Sequence, residues 1–324
     1  MERRKRSRRR WRAIRRPFEF LAAALAYGLL APLPRRAILG LANLLGTLGY
    51  WGSPGLRRIA EANLDIVFGS TLPGAEKRRI LRAAFRNMTR TALDIIWFSA
   101  SPVRRLKRWV RFDQPIDIPP PGSRPRLCLT AHVGNWELMG QAVALEGGPL
   151  SSVAAPLKNP RVDALFNRAR KKTGQKIISR KGALKAMLAV LREGGWVALL
   201  IDQNTPLDEG GEFYDFFGIP ASVSPIAGLL ACRTGASISF GFSLPRPDGS
   251  YRILQPEGFD TAEVSGSARN DAMREATRRI LDVYQEVIRT HPECWLWMYK
   301  RWKHVRPGDD PARYPFYSMT LDAP

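Results

Sequence analysis

In the stretch "LTAHVGNWELMG", residues 129–140, His132 precedes Glu137 by five positions in a chain with only three histidines. A neutral imidazole is suited to taking a proton from an alcohol near pH 7. A carboxylate bonded to its other nitrogen fixes the tautomer and stabilises the imidazolium that forms. In one continuous helix, five positions would turn these side chains about 140° apart. The local sequence avoids that: "RLCLT" reads as a strand ending at His132, Gly134 permits a turn, Asn135 is a good N-cap, and Glu137 falls in the first helical turn. His132 then sits on a loop at the carboxyl end of a strand, where ligands collect in open α/β sheets, and faces back toward Glu137. There is no Ser in a GxSxG elbow and no Cys with a matching His to act as a covalent nucleophile. The chemistry that fits is direct: His132 activates a substrate hydroxyl, which attacks an acyl thioester. A loop histidine bonded to backbone is the competing structural reading.

Two further groups bear on this chemistry. Lys158, Arg161, Arg168, Arg170, Lys171, Lys172, Lys176, Arg180, Lys181 and Lys185 cluster in one stretch. Arg180 follows the strand-like "KIIS", a position from which a cation can bind a phosphate, and Lys158 lies in "PLKNP"; the cations of "FNRARKK" read as a solvated helix face. The apolar run "WVALLID" ends in Asp202, followed by Gln203 and Asn204. Polar groups at the end of a buried strand are costly unless paired or functional. Asp202 and Gln203 therefore join Asn135, Lys158 and Arg180 as candidate substrate-binding residues. No metal-ligand cluster is visible. Cys128, Cys232 and Cys294 lack ligand spacing and read as small buried apolar residues in a reducing compartment.

The elements that must position these groups alternate. "RLCLTA", "LSSVAAP", "KIIS", "WVALLID", "ASISFGFSL" and "YRILQPE" read as strands, with helical stretches between them, several ending in Gly. This predicts an α/β fold with a central, largely parallel mixed sheet flanked by helices. Residues 55 to about 109 are helical in pattern, and the Pro-rich "DIPPPGSRPR" closes them. The expected division is a basic, membrane-anchoring segment over 1–52 and a catalytic unit over 53–324. The latter comprises a helical lead-in at 53–115, an α/β core at 124–306 and a tail at 307–324.

The chain has 51 Lys+Arg against 29 Asp+Glu, a net charge of +22. Its partners are expected to be polyanions: nucleic acid, an anionic membrane, or acidic proteins and phosphorylated substrates. Ten Lys/Arg lie in the first 16 residues, directly before an apolar run. That order favours an anionic, cytoplasm-facing leaflet over nucleic acid. The apolar runs at 20–33 and 37–51 both fall short of the roughly 20 residues of a full span. The favoured reading is a membrane-anchoring helix or interfacial pair; an amphipathic core helix and a cleaved signal are the alternatives.

With His132, Glu137, Arg180 and Asp202 in this order, the chain resembles the bacterial lipid A late acyltransferases, the lauroyl and myristoyl transferases, a branch of the His-x-x-x-x-Asp/Glu glycerolipid acyltransferase group. The resemblance covers nearly the whole chain and is carried by the basic, apolar amino terminus, "EANLDIVFG", "AHVGNWELMG", "PLKNP", "ISRKGALKAMLAVLREGG", "LLIDQN", "FYDFFGIPASVSPIAGLLACRTGASI" and "CWLWMYKRWKHVRPG". It implies transfer of a fatty acyl chain from acyl carrier protein to a hydroxyl of a phosphorylated lipid A precursor, at the cytoplasmic face of the inner membrane, with no cofactor, no metal and no nucleic-acid partner. By position, His132 looks like the general base, Glu137 its partner, Arg180 a phosphate contact, and Asp202 a support for the site. The chain departs from many relatives in having Tyr299-Lys300-Arg301 where they have His-Arg-Arg, and in lacking a second acidic residue two positions after Asp202. Two rivals stand beside this reading. One is the same chemistry on another membrane acceptor, such as a phosphatidylinositol mannoside or an aminolipid. The other is a non-enzymatic basic protein that binds membrane or nucleic acid. The aromatic-rich "FYDFFGIPASVSPIAGLLA" reads equally as an acyl-channel lining or as core.

Overall fold

The computed structural model describes residues 2–118, 120, 123–156, 159–180, 182–263 and 269–320, with side chains throughout these except at 2–14, 70 and 269. Five helices come first: α1 (Glu2–Leu30), α2 (Arg35–Gly52), α3 (Pro54–Phe68), α4 (Gly74–Ser99) and α5 (Pro102–Trp109). Pro34 caps α2 and Pro54 opens α3, positions where a missing N–H costs nothing because no intrahelical partner exists there. The chain then alternates: β1 (Val110–Phe112), β2 (Arg126–Thr130), α6 (Trp136–Leu145), β3 (Leu150–Ala154), α7 (Pro160–Lys172), β4 (Lys176–Ser179), α8 (Ala183–Arg192) and β5 (Trp196–Leu200). The hairpin β6 (Glu212–Phe216) and β7 (Ile219–Val223) precedes α9 (Ile226–Thr234), β8 (Ser237–Phe240), β9 (Phe242–Pro245), β10 (Tyr251–Leu254) and α10 (Arg269–Thr290).

The central sheet has the order β4-β3-β5-β2-β8, with every pairing parallel. Antiparallel pairing, expected within a mixed central sheet, is found in smaller sheets instead: β6 with β7, and β9 with β10, which also pairs with β1 in parallel. The run "ASISFGFSL", read as one strand, breaks at Gly241 into β8 and β9, which join different sheets.

Side chains alternate across a strand, so each strand of the central sheet serves two layers. Leu127, Leu129, Val197 and Leu199 face the main core with Met187 and Leu191 of α8, Leu230 of α9 and Ile280, Leu281 and Tyr284 of α10. The alternate positions Cys128, Trp196 and Ala198 face α6, where they meet Met139, Val143 and Ala144. The first layer is filled by large aliphatic and aromatic groups. The second mixes the large Trp196, Met139 and Val143 with the small Cys128, Ala198 and Ala144, and a cavity lies between sheet and helix there.

The amino-terminal helices are tied to this body. Leu30 and Ile38 are buried against Trp97, Phe98 and Tyr251. Arg35 of α2 forms a two-pronged ion pair with Asp94 of α4, both buried, and the Tyr251 hydroxyl donates to the same carboxylate at 2.6 Å. Burial disfavours the Arg35 charge, but Asp94 outweighs it and holds the pKa above its ordinary value. Removing either partner would strand an uncompensated buried charge, the costly way to break such a pair. Among the described residues no helix is long and apolar enough to cross a membrane, so the spanning form of the expected anchor is absent from them. Instead the two helices each bury one face and leave another apolar face exposed: Phe18, Leu21, Leu25 and Leu29 on α1, and Leu44, Leu48 and Trp51 on α2.

Candidate active site

The loop after β2 is held on three sides. The Gly134 amide donates to the Cys294 carbonyl (2.9 Å), the Asn135 amide to the Ser243 carbonyl (2.8 Å), and the Leu296 amide to the His132 carbonyl (3.1 Å). From α4, the Thr91 hydroxyl donates to the Gly134 carbonyl at 3.1 Å. Gly134 has φ +63°, and a Cβ at that position would lie 2.0 Å from the Ser243 carbonyl oxygen. The turn therefore requires glycine for its conformation and for the close approach of backbone. Asn135 caps α6 as expected, its side-chain oxygen accepting from the Leu138 amide at 3.2 Å, while its Nδ2 faces the Tyr251 hydroxyl at 3.4 Å. It is 0% exposed and absent from the cavity wall, which corrects its assignment as a substrate contact: its polar atoms are used up in shaping the turn.

Thr130 of β2 and Leu200 of β5 are partners in register, so the two chains leave the sheet side by side. That adjacency brings Asp202 to His132. Asp202 Oδ1 accepts from His132 Nδ1 at 2.8 Å, and Oδ2 accepts from the His132 backbone amide at 3.0 Å and from Trp295 Nε1 at 3.1 Å. The carboxylate is 2% exposed. Burial pushes its pKa up, but the charge and hydrogen bonds of His132, with the Trp295 donor, outweigh that and hold it below the ordinary carboxylate range. An ionised carboxylate can only accept, so the Nδ1 nitrogen carries a proton, and an amide nitrogen can only donate, so in the neutral ring it is Nε2 that accepts from Gln203, at 3.2 Å. Trp136 packs against the imidazole, with ring centroids 4.6 Å apart.

Glu137 stands elsewhere than expected. Both imidazole nitrogens are engaged, by Asp202 and Gln203, and neither by Glu137. Glu137 instead accepts from Arg170 Nε at 2.7 Å and Nη2 at 2.8 Å, a bidentate pair between α6 and α7, with Gln141 Nε2 adding a third donor at 3.2 Å. The orienting carboxylate of His132 is thus Asp202, and Glu137 is the anchor of a cation. Arg170, read as part of a solvated face, is mostly buried. Burial acts against its charge, and Glu137 more than offsets this, raising its pKa.

His132, Trp136, Glu137, Arg170, Arg180 and Gln203 all border one cavity of about 760 Å³, within the roughly 300–1,000 Å³ typical of small-molecule sites. Arg180 reaches it from the end of β4 as an exposed side chain, 2.9 Å from Glu209. Lys158 lies outside the described residues. Away from His132 the wall includes an apolar stretch, Met139, Val143, Cys128, Ala198, Leu150, Trp196, Phe112 and Ile116, alongside the polar Ser152, Gln175, Arg126 and Asp117. The aromatic-rich run at 213–231 contributes nothing to this wall. It forms β6, β7 and α9, with Phe216 and Phe217 in the main core. Arg301, where the chain departs from relatives, is fully buried: it donates to the Ser222 carbonyl at 2.9 Å and lies 4.8 Å over Phe216, and burial pushes its pKa down to about 10. Trp295, which the sequence pattern did not mark, completes the shell around Asp202.

Residues 5–304 match the family described as bacterial lipid A biosynthesis acyltransferase. The chain is 26% identical over 193 residues to lipid A biosynthesis acyltransferase 2 of Shigella flexneri, covering 60% of each. It is 25% identical over 187 residues to the lipid A biosynthesis myristoyltransferase of Escherichia coli (strain K12), covering 56% of this chain and 54% of that one. It is also 25% identical over 175 residues to a phosphatidylinositol mannoside acyltransferase of Mycolicibacterium smegmatis, covering 53% of this chain and 54% of that one. The matched part thus spans between 54% and 60% of the length of these curated relatives. With the family match extending over nearly all of its 324 residues, the chain belongs to the bacterial lipid A biosynthesis acyltransferase family.

Proposed function

We propose that the protein transfers a fatty acyl chain from the thioester of acyl carrier protein to a hydroxyl of a phosphorylated lipid A precursor, at the cytoplasmic face of the inner membrane. One observation carries this reading: His132, its Nδ1 held by Asp202, borders a cavity of about 760 Å³ that also has an apolar stretch of wall formed by Met139, Val143, Leu150, Trp196 and Ala198. The acceptor hydroxyl takes the place of the Gln203 amide at Nε2 and gives up its proton there as its oxygen attacks the thioester carbonyl carbon. Asp202 stabilises the imidazolium. The C–S bond then breaks, and the imidazolium returns the proton to the departing thiolate. Gln203, displaced from the imidazole, is a donor within reach of the carbonyl oxygen, where negative charge develops. Arg170, held by Glu137, and Arg180 supply the cations for substrate phosphate.

The acceptor has a second reading. A phosphatidylinositol mannoside acyltransferase is among the relatives, and the same donor and chemistry serve a phosphorylated glycolipid of that kind. Both acceptors are membrane lipids, which bears on the amino-terminal helices. The exposed stripes of α1 and α2 fit helices that lie in the interface rather than cross it, with Arg16, Arg36 and Arg58 exposed toward anionic headgroups. The Asn159 side chain at the start of α7 donates to the Arg16 carbonyl at 2.8 Å, so α1 lies directly against the helix that carries Arg170.

Transfer of labelled acyl chains from acyl carrier protein to a tetra-acylated lipid A precursor tests the reading. His132→Ala is expected to lower kcat by about 10² or more, and Asp202→Asn by 10² to 10⁴ through the wrong tautomer. Glu137→Gln should act mainly on KM for the phosphorylated acceptor. Undiminished turnover by His132→Ala would refute the mechanism, and no transfer to either acceptor by the folded wild type would refute the function. Because Asp202 has a lowered pKa in the folded state, its stabilising contribution is complete above its unfolded value of about 4. It is lost as pH falls through the lower folded value. The wild type should therefore exceed Asp202→Asn in unfolding free energy by a constant margin near neutrality, and the margin should shrink in acid below about pH 4. Finally, Leu25→Glu combined with Leu48→Glu should abolish co-sedimentation with vesicles containing anionic lipid while preserving transfer to detergent-dispersed acceptor. Unchanged sedimentation would disprove docking through these stripes.

A further inference from the structure

The cavity has a direction that the strand register makes explicit. Its face of the sheet is built in rows: Thr130 beside Leu200 at the carboxyl edge, Cys128 beside Ala198 and Ser152 in the middle, and Arg126 beside Trp196 and Leu150 at the amino edge. All eight residues line the cavity. From Thr130 to Arg126 the strand advances about 13 Å, and His132 lies beyond Thr130. The middle row is Cys, Ala and Ser, and the facing helix contributes Gly140 between Met139 and Val143. The room at Gly140 is taken by Gln175, whose Nε2 donates to Ser152 Oγ at 2.7 Å, so the small side chains that leave the slot open are Cys128 and Ala198.

At the amino edge the slot meets the side chains of Trp196 and Arg126, and the cavity lining continues beyond them. Trp196 is 1% exposed and packs with Val143, Ala144 and Leu150. The Arg126 guanidinium lies 4.4 Å from the indole centroid, and its Nη1 donates to the Asp117 carbonyl at 2.9 Å. Beyond this stack the lining becomes polar, with Gln114, Asp117, Gln255 and Glu257. An alkyl chain running from His132 would gain from burial at each methylene until it reached the indole. A further methylene would have to displace a guanidinium from its aromatic face and its carbonyl, leaving polar groups unpaired.

We propose that the Arg126–Trp196 stack is the stop that sets the longest acyl chain the protein accepts, with Cys128 and Ala198 fixing the bore of the slot that leads to it. This rests on the reading that the cavity holds the acyl chain of the donor. A hydrophobic pocket discriminates by about tenfold or more per methylene added or removed, so a stop that moves should be seen in affinities across a graded series.

The test is binding of saturated acyl-pantetheine thioesters of graded even chain length to the full-length wild type, Arg126→Ala and Cys128→Phe, with Ala198→Leu as a second blocking variant if Cys128→Phe does not fold. In the wild type, affinity should rise with length and then drop about tenfold or more at one step. In Arg126→Ala that drop should move to longer chains, and in the blocking variants to shorter ones. The same limit in all variants, or affinity independent of length in the wild type, would overturn the proposal. Transfer assayed in parallel separates it from the reading on which it rests: a limit that moves as expected in a protein that transfers nothing would support the stop and count against the transferase function.

Discussion

The buried carboxylate of Asp202 is the constraint on which the site depends. An ionised group at 2% exposure survives only if its hydrogen bonds are satisfied, and three donors converge on it: the imidazole and backbone amide of His132, and the indole of Trp295. Two of the three belong to one residue. The carboxylate therefore fixes the His132 backbone and its ring together, and with them the tautomer that leaves Nε2 free to accept. The other ties reinforce this. The loop is bonded to Cys294, Ser243 and Leu296, the loop glycine is the only residue type that fits against the Ser243 carbonyl, and Thr91 holds the same turn from the helical layer.

The helical lead-in is thereby part of the site's support. Tyr251, which donates to Asp94 in the buried cluster with Arg35, also meets the side chain of Asn135, the cap of α6. One chain of polar contacts runs from α2 through α4 and β10 to the turn that carries His132. Of the two helices with exposed apolar stripes, α2 is thus linked by hydrogen bonds to that turn. On the other side of the turn, the Glu137–Arg170 pair joins α6 to α7 and keeps a cation fixed in the cavity wall.

What the sequence disclosed was local. A strand before His132, a turn at Gly134, a cap at Asn135 and a first helical turn at Glu137 are each signalled by neighbouring residues; the turn, cap and helix start are where the pattern put them, and the strand ends at Thr130, two residues before His132. The alternation of strands and helices likewise announced the parallel sheet. The partner of His132 was not legible, because it depends on which strand lies next to β2. Strand order is a non-local property, and β5 enters between β3 and β2 although seventy residues separate His132 from Asp202. The family-like spacing drew attention to Glu137, whereas the register of β2 with β5 selects Asp202. Arg170 was hidden for the same reason, since a cation on a basic helix looks solvated until the packing of α7 against α6 is known. The cavity was hidden too: Cys128 and Ala198 are unremarkable in separate segments and line one cavity only because β2 and β5 are neighbours in register.

The central claim is that Asp202, not Glu137, accepts from His132 Nδ1 and so sets the tautomer. Proton and nitrogen NMR of the imidazoles tests this most directly, since the chain has only three histidines to assign. The account predicts a downfield Nδ1–H resonance for His132 that survives Glu137→Gln and is lost, or replaced by the other tautomer, in Asp202→Asn. A signal that disappears in Glu137→Gln and persists in Asp202→Asn would contradict it.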